Sequence, residues 1–220
     1  MIWPHAHSPR FHCSQRPNSG SVKFETLRKR DLPIETTALA RALIGCVIVH
    51  RSPDGIAAGR IVETEAYPPG DPAGHHFRGR TRRNNSLFLA PHRAYVYHIY
   101  GTSYCFNLSS EEDGVGAGVL VRALEPLAGV ALMRERRGIE GLVDLCRGPG
   151  RLCRALAIDR ALDGVPLFGG SPLKLARPDR VVGGIGVSRR IGVTRAATRL
   201  LRYYERGNPY VSGPRTLSPA

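Results

Sequence analysis

Arg60-Ile61-Val62-Glu63-Thr64-Glu65-Ala66-Tyr67 opens the stretch, residues 60–107, around which the rest of the chain is organised. A loop rich in Pro, Gly and His follows, then Ala94-Tyr95-Val96-Tyr97-His98-Ile99-Tyr100-Gly101, and the stretch closes at Asn107. Ile61, Val62 and Thr64 favour extended backbone, and side chains on a strand alternate between faces. Strict alternation puts Ile61, Glu63, Glu65 and Tyr67 on one face and Val62, Thr64 and Ala66 on the other. The small apolar face suits a core. The carboxylate face is either a solvated strand surface or a working one. Tyr67 ends that face just before Pro68-Pro69-Gly70 stops the strand, and rigid strands that give way to loops often carry active-site groups.

Upstream of this strand, Thr36 or Thr37 can cap a helix through Ala38-Leu39-Ala40-Arg41-Ala42-Leu43, with Gly45 to end it. Residues 46–49 read as a strand, and Ser52-Pro53-Asp54-Gly55 as the turn that returns the chain into the Arg60 strand. Downstream, residues 68–91 form a loop long enough to be functional. It carries His75, His76, Arg78, Arg80, Arg82 and Arg83, which are either a phosphate clamp or an ordinary solvated loop. Asp71, His75 and His76 invite a metal, but no further ligands stand at familiar spacings, so none is expected.

Residues 94–99, 104–108 and 118–124 read as three antiparallel strands joined by turns at 100–103 and 111–114. Tyr95 is explained by sheet packing, whereas Tyr100 at a hairpin tip is not. Arg122 interrupts an apolar strand and needs a partner, Glu65 or Glu63, unless it lies on an edge and reaches solvent. A helix is predicted from beyond Pro126 to about Arg137 and a shorter one over 151–158, with further strands within 165–175 and 185–193. The fold class that follows is α+β: one mixed domain with a mainly antiparallel, curved sheet, flanking helices and a protruding hairpin.

The chain has 220 residues, enough for one substantial core, and a formal net charge of +14. Of its 32 basic residues three are Lys, at 23, 29 and 174, leaving 29 Arg. Such an excess favours a polyanionic partner and fits neutral sugars poorly. The five cysteines are odd in number and form no Cys-x-x-Cys, which points to free thiols in a reducing, intracellular setting. That means cytoplasmic in a bacterium and nuclear in a eukaryote. No stretch is long and apolar enough for a membrane span. Residues 1–22 read as a disordered basic tail, 23–213 as the domain and 214–220 as a short C-terminal tail.

The blocks at residues 60–67, 94–107, 119–126, 148–158, 190–193 and 201–212, in this order, resemble the 3-methyladenine (alkyladenine) DNA glycosylase family. The resemblance covers residues 37–212. It implies a monofunctional enzyme, without cofactor, that excises alkylated or deaminated purines from double-stranded DNA and works as a monomer. It also implies roles. Glu65 is the base that activates water, and Arg122 and the backbone carbonyl of Ile191 help to hold that water. Tyr67, His75 and Tyr97 stack on the extruded base, with His76 the alternative to His75. Asn107 crowds the amino group of guanine, and Tyr100 fills the gap left in the duplex. His98 departs from the family pattern, in which its strand is usually apolar. A base cannot be attacked inside a stack, so these parts answer to a physical need. Two other readings remain. Glu63 and Glu65, roughly 6.5–7 Å apart along a strand, approach the spacing of inverting glycoside hydrolases. A non-catalytic nucleic-acid-binding module would use the arginines and tyrosines alone.

Overall fold

The computed structural model describes residues 24–99, 101 and 103–218. Its eight strands form one antiparallel sheet, curled into a half-barrel, with three α-helices packed against it. In chain order these are α1 (Thr36–Ala42), β1 (Val47–Ser52), β2 (Gly55–Tyr67), β3 (Ala94–His98), β4 (Tyr104–Ser109) and β5 (Gly118–Ala128). They are followed by α2 (Val130–Arg137), α3 (Pro149–Leu156), β6 (Leu173–Ala176), β7 (Ile185–Ser188) and β8 (Arg202–Glu205).

β2 is the hub. Its first half pairs with β1, residues 63–65 pair with β8, and β5 runs along its other edge. The β1–β2 turn pairs Ser52 with Gly55, the expected hairpin. Leu39, Ala40 and Leu43 bury the α1 face, as its Ala/Leu sequence predicts. The cap differs from expectation: the Glu35 carboxylate accepts from the N–H groups of Thr37 and Ala38, while the Thr36 hydroxyl turns to Ser110 and Glu111.

Two irregularities in β2–β5 decide where the carboxylates point. Ile61 pairs with Leu124, Glu63 with Ala123 and Thr64 with Val121, so Val62 and Arg122 are passed over in the register. Strict alternation therefore fails at Val62. Ile61 joins Ala66 in the main core, and the Thr64 hydroxyl donates to Ala40 O. Val62 packs instead with Ala123, Tyr204 and Val211. The expected grouping of Ile61 with Glu63 is thus corrected, and both faces of β2 are buried.

Further along, β5 continues through Pro126 to Ala128, where a helix was expected to begin. Pro126 sits at a register irregularity, a place in a sheet that tolerates its missing donor. α2 starts only after Gly129, whose φ of +70° and contact with Ile56 O leave no room for a Cβ. α3 begins at Pro149, with Leu152, Cys153, Ala155 and Leu156 buried. The strands expected within 165–175 and 185–193 shrink to β6 and β7, and β8 was not anticipated as a strand.

The loop 68–91 is real and held from within. Asn84 donates to the carbonyls of His75 and Gly79 and accepts from Thr81. β3 and β4 pair antiparallel up to His98 and Tyr104, and the Ile99 N–H donates to Ser103 O. Tyr100, and with it the expected projection of this turn, lies outside the described residues, as does the tail 1–22. No helix among the described residues is long and apolar enough to cross a membrane.

Candidate active site

Glu65 has no solvent exposure. Its Oε1 accepts from the Ile191 N–H at 2.7 Å and lies 3.1 Å from Arg122 Nη1, and its Oε2 accepts from the Tyr67 hydroxyl at 2.9 Å. Ile191, expected to contribute its carbonyl, here contributes its amide. Burial and the neighbouring Glu65 charge push the Tyr67 phenol well above its ordinary pKa, so it stays a donor.

Arg122 bridges both carboxylates, donating through Nε to Glu63 at 3.0 Å. Burial works against its charge, but Glu65 and Glu63 together raise its pKa above the ordinary arginine value. The edge-strand alternative for Arg122 is therefore set aside. Glu63, equally buried, has more of its acceptor capacity engaged. Arg202 Nε meets its Oε1 at 2.6 Å, and the Ser212 N–H meets its Oε2 at 2.7 Å. Arg202, itself fully buried, also donates to the carbonyls of Ser212 and Leu217. It lies over the Tyr204 ring at 4.8 Å.

Tyr67 opens toward a pocket of about 190 Å³ lined by His75, His76, Tyr95, Tyr97, Asn107 and neighbours from 73, 87, 118, 192 and 193. Tyr95 and Tyr97 stack with ring centres 5.2 Å apart, and the His75 ring packs edge-on to Tyr97 at 4.3 Å. Tyr95 OH lies 2.9 Å from His75 Nδ1. Burial, with Arg83 and His76 nearby, lowers the His75 pKa, favouring the neutral ring. Burial likewise raises the pKa of both Tyr95 and Tyr97. Asn107 is buried and donates to Tyr95 O. His76 also touches the pocket, but its Nε2 is engaged with Pro68 O. His98 is exposed and packs edge-on to Tyr104, so its departure from the family pattern falls on a solvent-facing strand end.

Asp71 belongs to a second buried ion pair. Arg190 grips both its oxygens, at 2.7 and 3.1 Å, donates to Ala66 O, and covers the Tyr67 ring at 4.5 Å. One arginine thus backs the phenol and precedes Ile191. Arg190 and Arg202 were missed as site residues. Arg202 had a signal in its place within Leu200-Leu201-Arg202-Tyr203-Tyr204, whereas Arg190, next to Ser188 and Arg189, had none. Tyr95 was explained as packing alone, although its i, i+2 spacing to Tyr97 already put both rings on one face.

A buried carboxylate held by three donors stands behind a small aromatic pocket on a chain of charge +14, an arrangement suited to hydrolysis at an aromatic ring carried on a polyanion. The sequence profile of Methylpurine-DNA glycosylase (MPG) matches residues 31–209, and the chain belongs to that family, whose members are hydrolases acting on N-glycosidic bonds in DNA. A relative from Mesorhizobium japonicum is 57% identical over 191 residues, spanning 87% of this chain and 92% of the relative. One from Paraburkholderia phytofirmans is 48% identical, spanning 87% and 90%, and one from Methanoculleus marisnigri is 44% identical, spanning 81% and 94%. All three are provisionally named 3-methyladenine DNA glycosylases.

Proposed function

We propose that this chain is a monofunctional, monomeric glycosylase that excises 3-methyladenine and other alkylated or deaminated purines from double-stranded DNA. The target base rotates out of the stack into the pocket of Tyr67, His75 and Tyr97, and Glu65 activates the water that displaces it. One observation carries the reading: Glu65 Oε1 is taken by Arg122 and the Ile191 amide, while among the described residues Oε2 bonds only the pocket phenol Tyr67, leaving acceptor capacity beside the pocket.

In the proposed step the water oxygen bonds to C1′ of the sugar, its proton passes to Glu65, and the glycosidic electron pair leaves with the purine. A purine methylated at N3 or N7 carries a positive charge, so it departs neutral without a proton donor, and the tyrosine faces attract it beforehand; a neutral deaminated purine leaves as an anion that then takes a proton from solvent. Arg122 and the Ile191 carbonyl steady the water. Asn107 crowds a normal guanine, and Tyr100 fills the vacated stack. The loop arginines 78, 80, 82 and 83 meet phosphates.

The two-carboxylate reading is disfavoured because Glu63 has both oxygens engaged by Arg122, Arg202 and the Ser212 amide. Strand cleavage would need an amine nucleophile, and no lysine lies within residues 60–107. The product is therefore an abasic site in an intact strand, and borohydride trapping should give no protein–DNA adduct. The deciding test is release of free base from duplexes carrying 3-methyladenine, 7-methylguanine or hypoxanthine. Wild-type protein should release it and Glu65→Gln should not. No release from any of these duplexes sinks the proposal.

A further inference from the structure

Beside the aromatic pocket lies a second cavity, about 470 Å³, within the range of ligand sites. The two cavities share His75 and Tyr95 as a common wall. Phe77 lines the outer cavity and is 47% exposed. A single exposed apolar side chain means little by itself. Here it stands among Arg78, Arg83 and Arg195, which line the same space. Among the described residues, the hydrogen bond of Arg83 is a long one to the carbonyl of His98, at 3.5 Å. Arg78 and Arg195 have no hydrogen bond or ion pair among the described residues, although this chain pairs many of its arginines. An aromatic face beside uncommitted guanidinium groups is the chemistry that takes a base by stacking and a phosphate by charge.

We propose that this outer cavity is a nucleotide subsite. It holds the target purine against Phe77, with its phosphate among Arg78, Arg83 and Arg195, before the base passes the His75–Tyr95 wall. The proposal rests on the glycosylase reading and adds a stage to it. The wall suits such a passage. The His75 backbone is pinned by Asn84, while among the described residues its ring is held by one hydrogen bond to Tyr95 and edge contacts with Tyr95 and Tyr97. A side-chain rotation can therefore join the cavities without moving the loop. A base would be inspected twice, first for its flat face and phosphate, then for its fit beside Asn107.

The direct test places a reporter in the cavity. In Phe77→Trp, made with Trp3→Phe to remove the chain's one native tryptophan, deoxyadenosine 5′-monophosphate should quench fluorescence saturably at millimolar concentration. Deoxyadenosine and free adenine should bind several-fold more weakly, and Arg195→Gln should weaken only the monophosphate. Absence of saturable quenching, or equal binding of all three probes, overturns the subsite as a nucleotide site. Single-turnover excision supplies the second arm. Phe77→Ala should raise the half-saturating enzyme concentration about tenfold, the scale of one lost base–aromatic contact, with less than a twofold fall in the plateau rate. Trp at this position should restore capture. A loss confined to the plateau, or no change in either quantity, overturns the proposal. A wild-type protein that releases no base would defeat the glycosylase reading, while the quenching titration would still decide whether the cavity binds a nucleotide.

Discussion

Glu63 and Glu65 lie two residues apart on β2, and neither has any solvent exposure, yet their surroundings differ in kind. Glu63 meets two guanidinium groups and a backbone amide, from Arg122 on β5, Arg202 on β8 and Ser212 beyond it. Its network ties three parts of the chain together, and both its oxygens are committed. Glu65 meets one guanidinium, one amide and one phenol, and that phenol lines the pocket. Equal burial thus conceals one carboxylate that frames the sheet and one with acceptor capacity left beside a pocket phenol. Exposure cannot tell them apart, but the donor inventory can.

The largest effect should come from the sharpest form of this contrast. Glu65→Gln keeps the shape but cannot take the proton, so excision should fall by about 10²–10⁴ with lesion-DNA binding near normal. Full activity in this variant would move the base to Glu63 and break the comparison. Glu63→Gln should do the reverse. It leaves Arg202 and Arg122 with an uncharged partner in a buried site, and losing one member of a buried pair costs about 3–5 kcal/mol. Urea unfolding should show that loss, while excision per folded molecule falls far less than in Glu65→Gln. A Glu63→Gln protein that is stable but inactive would reverse the assignments.

On the Glu65 side the aromatic groups divide in turn. Tyr97→Ala removes a stacking face from the pocket, so single-turnover excision should fall alike on a paired lesion and on the same lesion in a bulge. The expected loss is about 1–3 kcal/mol, the scale of one base–aromatic contact. Tyr100→Ala should lose more on the paired lesion, where the duplex must be opened, than in the bulge, where unstacking costs less. Equal losses for Tyr100→Ala on the two substrates would remove it from the wedge role.

Much of this was legible in the sequence because the strand signals are local. β-Branched residues, a Pro-Pro-Gly stop and a tyrosine pair at i, i+2 mark β2, its end and the pocket wall. What was not legible depends on partners far along the chain. The slip at Val62 has no signature of its own, because β2 and β5 each pass over a residue and the pattern of residue types stays plausible on either face. Arg202 lies outside every strand read from the sequence, and its role is visible only once β8 is seen against β2 and Glu63. Asp71 beside two histidines resembles a metal fragment until Arg190, 119 positions away, closes on it. Pro126 suggests a helix start only if β5 is assumed regular. The face grouping on β2 and the helix start after Pro126 erred where an irregular register outweighed local preference.

The smallest effect tests whether the Glu65 side is also the less completely satisfied one toward protons. Among the described residues the pairings of Glu63 are with arginines and a backbone amide, which do not titrate near neutrality. The pocket side contains His76, buried, with Nε2 on Pro68 O at 2.9 Å and Nδ1 without a partner among the described residues. Its ring is wedged against Gly74, where an added Cβ would fall 2.3 Å from Cε1, so it cannot readily turn to find an acceptor. With Nε2–H donating to Pro68, the neutral ring leaves Nδ1 bare, and a second proton would bury a charge whose new N–H has nowhere to go. Burial accordingly lowers the His76 pKa below its ordinary 6.5, with the Pro68 carbonyl and Asp71 pulling the other way. The sign follows from linkage. A histidine depressed in the folded state contributes stability that is fully present above the unfolded value and is lost as pH falls through the folded one. Stability should therefore decline below about pH 6.5, by at most about 1.4 kcal/mol per pH unit for each such histidine. His75 and His92 shift in the same direction and add to the slope. His76→Ala should lower the urea midpoint at pH 8 through lost packing, yet flatten its fall between pH 7 and pH 5. An unchanged slope would mean that His76 protonates without penalty, and that the pocket side is no more sensitive to acid than the Glu63 network.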